Sequence, residues 1–281
     1  MIEAKNLSYY YDKKDKHAIS DVFFHVNEGE VFAILGQKDA GKTTIVNLLA
    51  GIFKIQKGDI SIDEYSIKRN NKYLSKIGVV FKSPRFYNRF TAKQNLKFFS
   101  RLYDKKCGDI DALLDRLMLA DDVRKKVHTY TPSMLKRLAL ARALLADPKV
   151  LILDEPTYGV DDYTASLIRD IILHQKKQGK CVLFTTADGL FAKKTCDRVA
   201  FLVNGRIKKI TSPVDFDKKG KLIDVSYYYK RDVITHIIDT NNMSDRELLA
   251  NIIRRNDLRT VHSNEHTLGD VLDYLSQKDA P

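Results

Sequence analysis

The segment Gly36-Gln37-Lys38-Asp39-Ala40-Gly41-Lys42-Thr43 constrains this chain more than any other. It lies between a compact apolar run, Val31 to Leu35 (VFAIL), and a stretch from Thr43 to Phe53 whose apolar spacing is helical. That order predicts a strand, a glycine loop and a helix. The loop fits the Walker A pattern GxxxxGK[ST], and its residue types suit a polyphosphate. Peptide amides of a glycine-permitted loop and the positive end of the next helix surround the anion. Residues Gly36, Gln37, Lys38, Asp39, Ala40, Gly41, Lys42, Thr43 and Thr44 are the expected nucleotide-binding set. Lys42 supplies a cation for the β and γ phosphates, and the Thr43 hydroxyl is a ligand for Mg²⁺.

A second motif completes the chemistry. Val150 to Glu155 (VLILDE) is an apolar strand that delivers two carboxylates at its C-terminal end, where open α/β sheets bind ligands. Asp154 is the expected Mg²⁺ ligand. Glu155 is the expected catalytic residue, polarising the attacking water, because phosphoryl transfer needs a cation for charge and a base for the nucleophile.

The remaining pattern supplies the frame. Short alternations from Ile2 to Tyr11 and Ala18 to Val26 read as early antiparallel strands. Phe90 to Tyr103 and Ile110 to Leu119 are helical, with Thr91 as an N-cap, and form a separate lobe. Leu135 to Ala146 is a helix ended by Asp147-Pro148, since proline disfavours helical geometry in the residue before it. Val150 to Leu153 and Val182 to Thr186 are buried strands, so strands alternate with helices and imply a parallel sheet covered on both faces. A boundary falls near Thr211-Ser212-Pro213. Beyond it Leu222 to Tyr229 reads as a strand, Asp245 to Arg255 as a helix capped by Ser244, and Thr267 to Leu275 as a closing helix.

Composition narrows the setting. No stretch approaches the ~18 apolar residues of a membrane span, and Met1 to Lys14 lacks a signal-peptide core, so a cytoplasmic location is expected. Cys107, Cys181 and Cys196 show no paired spacing, which points to reduced structural thiols. The net charge is +12; from Ser212 onward 10 Lys+Arg face 12 Asp+Glu, so the first 211 residues carry +14. Such a surface suits anionic partners, and it equally suits a solvated lysine-rich face.

The order of Walker A, helical lobe, helix-initiating segment and Asp154-Glu155-Pro156-Thr157-Tyr158-Gly159-Val160-Asp161-Asp162 resembles the ABC ATPase family, over residues 1 to about 210. The resemblance implies a P-loop NTPase of ABC ATPase type: a mixed-sheet core with an antiparallel β subdomain and a helical subdomain, plus a small C-terminal α+β extension. It implies domains 1–211, with the helical subdomain about 84–147, and 212–281. Tyr11 falls where the family places the aromatic that stacks on adenine, although a packed strand tyrosine fits the same run of three. The tail with Thr267-Leu268-Gly269-Asp270-Val271-Leu272 is similar to extensions of drug- and peptide-exporting members.

Three departures accompany the resemblance. The family's LSGGQ-like signature is replaced by Tyr130-Thr131-Pro132-Ser133-Met134, in which both glycines are gone and Pro132 has no amide to offer. The Q-loop glutamine is replaced by Lys82, which cannot ligate Mg²⁺ while charged. The family's histidine after the strand ending Thr185-Thr186 is replaced by Ala187. Each lost donor costs on the order of 100- to 1000-fold in rate.

The expectation is therefore an ATP-binding subunit that binds Mg-ATP and couples binding and slow or partner-dependent hydrolysis to transport. Its partners are an integral membrane permease and a second cassette, a heterodimer being favoured over a homodimer. Its place is the cytoplasmic face of the cell membrane, and no nucleic acid partner is expected. The alternatives are a non-transport ABC ATPase and a catalytically inactive, nucleotide-gated subunit.

Overall fold

A computed structural model describes residues 1–11, 18–69, 71–103, 107–213, 222–229, 232–240, 242–255, 258–262 and 268–278. The frame is a mixed six-stranded sheet. Its strands are β3 (Val31–Leu35), β6 (Ile77–Val80), β7 (Val150–Asp154), β8 (Cys181–Thr186), β9 (Arg198–Val203) and β10 (Arg206–Thr211), in the order β10-β9-β3-β8-β7-β6. The pairs β9/β3, β3/β8, β8/β7 and β7/β6 are parallel, and β10 is antiparallel to β9.

Both faces of this sheet are covered, which is why its strands read as unbroken apolar runs. In β3, Val31, Ala33 and Leu35 join one core while Phe32 and Ile34 join the other. The same alternation divides Leu151 and Leu153 from Val150 and Ile152 in β7. On one side lie α1 (Lys42–Leu49) and an antiparallel sheet. That sheet is β2-β1-β4-β5, built from β1 (Ile2–Tyr9), β2 (Ile19–Val26), β4 (Lys57–Ile62) and β5 (Tyr65–Ser66). On the other side lie α2 (Ala92–Ser100), α3 (Ile110–Arg116), α4 (Pro132–Leu144), α5 (Asp162–Lys177) and α6 (Gly189–Thr195).

Caps fix where these helices begin. Thr91 caps α2 as expected, with a reciprocal capping box through Gln94. Asp109 and Asp161 cap α3 and α5. Helix α4 starts three residues earlier than the apolar spacing predicts: Pro132 takes the first helical position, where a missing N–H costs nothing, and Thr131 Oγ1 accepts from Met134 N at 3.3 Å. The first helix ends at Leu49 and not at Phe53. The helices expected over 90–103 and 110–119 are shorter at their ends.

The last segment forms a third sheet, β12-β11-β13, from β11 (Leu222–Tyr229), β12 (Asp232–Asp239) and β13 (Leu258–His262). Helix α7 (Met243–Arg254) covers it through Ile252 against Val225 and Ile238. Its cap is Asn242, not the expected Ser244; Asn242 Oδ1 accepts from the backbone of Ser244 at 3.0 Å and of Asp245 at 3.4 Å. Helix α8 (Leu268–Lys278) docks Leu268, Val271 and Leu272 into the main core, and Gly269 lies against Gly189 of α6. Thr267, the expected start of that helix, lies outside the described residues.

None of the three cysteines is in a disulfide, and burial pushes Cys181 and Cys196 up to about 12. Among the described residues no helix is long and apolar enough to cross a membrane.

Close packing of β6 against α4 is the tightest constraint on the strand that leads to Lys82. A Cβ on Gly78 would run into the Ala143 carbonyl oxygen and approach Pro148 Cγ to 2.9 Å. The Gly78→Ala substitution is expected to destabilise the protein by about 1–3 kcal/mol, as overpacking does. A lowered midpoint in urea unfolding followed by circular dichroism checks this.

Candidate active site

Strand β3 ends at Leu35 and the chain turns at once through residues 36–41 into α1. Gly41 makes the turn possible: its φ of +104° is open to glycine, and a Cβ there would meet the Ala18 carbonyl oxygen at 2.5 Å. The N–H of Gly36 donates to the Thr186 carbonyl of β8 at 3.1 Å, so the loop starts from the sheet. Ala40 is buried beneath it, and its carbonyl accepts from Gly205 N at 3.1 Å.

Lys42 is 6% exposed. Its ammonium donates to the carbonyls of Gly36 at 2.6 Å and Gln37 at 2.8 Å, and pairs with Glu155 Oε1 at 3.0 Å. The two Walker motifs are thus joined by a buried ion pair whose cation is fully bonded, the condition under which burying charge is tolerable. Glu155 Oε2 accepts from Ala187 N at 3.3 Å. Glu155 itself sits at φ +45°, unusual for a residue with a side chain, and is held there by Thr185 through both its carbonyl (3.2 Å) and its hydroxyl (3.1 Å).

Asp154 lies one layer deeper and is completely buried. Its Oδ2 accepts from the Thr43 hydroxyl at 2.9 Å, and its Oδ1 from the Thr185 hydroxyl at 2.7 Å. A hydroxyl and a carboxylate this close form a hard oxygen donor pair, which fits Mg²⁺ and not a soft metal. Among the described residues there is no group of three or more His, Cys, Asp or Glu that could hold a metal by protein ligands alone.

These residues open onto one cavity of about 250 Å³, lined by Tyr11, Lys38, Asp39, Thr43, Thr44 and Glu155, together with Ala18, Gly41, Lys42 and Lys82. Tyr11 is 63% exposed, shares a 3.0 Å hydrogen bond with the Thr44 hydroxyl, and meets Phe53 edge-on. Tyr9, by contrast, is the packed ring of the tyrosine run, stacked on Phe53. Every expected site residue therefore lines the cavity or bonds to a residue that does, except Ala40, which supports the loop from below. Gln37 turns outward and donates to Asp273 of α8 at 2.9 Å.

Reading the sequence alone misses two members of the site. Thr185 enters the sequence reading only as part of the strand end Thr185-Thr186 that precedes Ala187, yet it bonds both Asp154 and Glu155. Lys136, 3% exposed in α4, donates to the carbonyls of Lys82 at 2.9 Å and Glu155 at 3.3 Å. Burial lowers its ammonium to about 8, against the pull of Asp154 and Glu155. The degenerate signature also has a defined geometry. Ser133 donates to Asp161 Oδ2 at 2.5 Å, which together with the Thr164 amide holds that carboxyl down at about 2. Thr131 caps α4 and Tyr130 OH donates to the Asp122 carbonyl at 3.0 Å, so all three hydroxyls of the segment have a partner within the chain.

The strand-loop-helix turn, the buried Lys42 and the paired carboxylates at the end of β7 define a P-loop nucleotide-binding protein. A family model described as ABC transporter matches residues 19–158. The fluoroquinolones export ATP-binding protein of Mycobacterium tuberculosis is 35% identical over 96% of this chain and 91% of its own length. The ABC transporter ATP-binding protein NatA of Bacillus subtilis is 32% identical over 69% of this chain and 82% of its own. A solved ATP-binding subunit of an ABC transporter superposes with a TM-score of 0.70 at 25% identity, over 78% of this chain and 92% of that one. The chain belongs to the ABC transporter family, as one of its ATP-binding proteins. It is an ABC ATPase, and such proteins work as paired cassettes with a membrane permease.

Removing the Thr185 hydroxyl tests the site's internal support. Thr185→Val leaves Asp154 Oδ1 without its donor and costs about 1–3 kcal/mol, the range for orphaning a buried polar group. Thermal unfolding shifted down by several degrees is the expected outcome.

Proposed function

We propose that this chain binds Mg-ATP through residues 36–44, with Thr43 and Asp154 as the metal's protein ligands, and hydrolyses it only when paired with a different, orthodox cassette. The magnesium ion, when bound, would neutralise charge on the phosphate oxygens. Within the chain, Lys42 would leave Glu155 for the phosphates, and Glu155 would then orient and deprotonate the attacking water. Tyr11 would stack on the base.

The observation that carries the partner dependence is the state of the signature. In the paired arrangement each nucleotide lies between one subunit's Walker A and the other's signature. Here Ser133 Oγ donates its proton to Asp161, Pro132 has no N–H, and neither glycine is present, which leaves the Thr131 hydroxyl as the segment's remaining donor. Two copies of this chain would place that defect in both sites. With an orthodox partner, the site built on Lys42 and Glu155 would meet an intact signature, while the other site would only hold nucleotide.

Residues 212–281 form, on this reading, an accessory domain appended to the cassette of residues 1–211, whose helical subdomain spans about 84–147. A groove of about 530 Å³ between Ile52, Leu74, Val79, Phe81 and Arg85, closed by Arg142 stacked on Phe86 and Phe99, is where the permease would seat. That seat would place the chain at the cytoplasmic face of the membrane.

Measuring ATP hydrolysis by the purified chain alone, and mixed with an orthodox cassette and their permease, tests this. Turnover in the mixture only, reduced about 100-fold or more by Glu155→Gln in this chain, is expected. Vigorous turnover by the chain alone would refute the partner requirement. A mixture indifferent to Glu155→Gln would favour a purely nucleotide-gated subunit.

A further inference from the structure

Lys82 stands where the family's neutral glutamine is expected, and the structure shows what its side chain faces. It follows β6 and lines the same cavity as Lys42, Thr43 and Glu155. Its ammonium rests 4.4 Å from the centroid of the Tyr158 ring, in the turn that follows Glu155. Tyr158 is itself exposed, so this contact is the weak kind of cation–π interaction. Among the described residues no carboxylate pairs with Lys82.

Of the three lysines that line the cavity, Lys38, Lys42 and Lys82, the last two are unequal. Lys42 is already matched by Glu155 at 3.0 Å, whereas Lys82 faces the cavity unmatched. Its backbone is not loose, because the Lys82 carbonyl is tied to the buried Lys136 ammonium at 2.9 Å. The Lys136 ammonium also lies near enough to the Lys82 ammonium for the two like charges to repel. An anchored backbone, a cation with only a weak resting contact and a cavity that takes polyphosphate together form an anion-binding arm.

We propose that Lys82 is a second phosphate-binding cation that recognises the terminal phosphate of a bound triphosphate, and so makes this site select ATP over ADP. The inference rests on the nucleotide reading above. It replaces the expectation that Lys82 is only a lost metal-facing amide. A charge-assisted bond to phosphate is stronger than a contact with an exposed ring, so nucleotide binding would draw Lys82 from Tyr158 to the ligand. ADP, one phosphate shorter, would leave it on the ring.

Calorimetric titration of the full chain and of its Lys82→Gln and Lys82→Arg variants, each with ATP and with ADP in magnesium buffer, tests this. Lys82→Gln is expected to weaken ATP about tenfold, the worth of one charge-assisted hydrogen bond, and ADP less than threefold. Lys82→Arg is expected to keep the wild-type preference, which separates a lost cation from a disturbed fold. Equal losses for the two nucleotides, or an unchanged ATP-to-ADP ratio in Lys82→Gln, would overturn the proposal. Failure of the wild-type chain to bind either nucleotide would instead overturn the nucleotide site itself, and this inference with it.

Discussion

The structure depends on keeping one ammonium in place at the end of a buried strand. Lys42 has almost no contact with solvent, so its charge is tolerable only because two loop carbonyls and Glu155 surround it. Those partners come from the loop after β3 and the end of β7, strands separated in the sheet by β8 alone. Thr185 of that intervening strand bonds both Asp154 and Glu155. The six-stranded sheet thus works as a jig that sets Glu155 3.0 Å from the Lys42 ammonium and Asp154 2.9 Å from the Thr43 hydroxyl. On the proposed function, an arriving polyphosphate would exchange one anionic partner of Lys42 for another and so release Glu155.

The departures from the family pattern are redistributed inside the same frame. The signature segment, stripped of its glycines, has become an ordinary helix start, with Thr131 as cap, Pro132 at the first position and Ser133 bonded to the next helix's cap, Asp161. Where the histidine would stand, only a peptide amide reaches Glu155. Meanwhile Lys136 runs from the signature helix to the backbone of both Lys82 and Glu155. The Walker A loop and both carboxylates are in place, while the signature segment has lost its glycines and the Pro132 amide, and on that contrast rests the proposal of an unlike partner.

Much of the site was legible because Walker A is local. Its glycines, lysine and threonine lie within eight consecutive residues, and flanking periodicity places them between strand and helix. Lys136 and Thr185 were not legible, because their partners Lys82 and Asp154 are 54 and 31 positions away. Helix α4 starts before its apolar spacing does because its first residues, Pro132 and Ser133, carry no apolar stripe. Its middle, with Leu138, Ala139, Leu140 and Ala141 all buried, is enclosed on every side, so amphipathic spacing is a poor guide there. The cap lies at Asn242, two residues before Ser244, because both are good caps and only the folded backbone decides between them.

Isothermal titration of the purified chain with ATP and magnesium, beside the Lys42→Ala variant, bears most directly on the nucleotide site. Saturable uptake of one ATP per chain, abolished or weakened at least about 100-fold in Lys42→Ala, is predicted, since that ammonium supplies more than one charge-assisted hydrogen bond. Well-folded wild-type protein giving no heat of binding, or a Lys42→Ala variant binding ATP as tightly as the wild type, would contradict it.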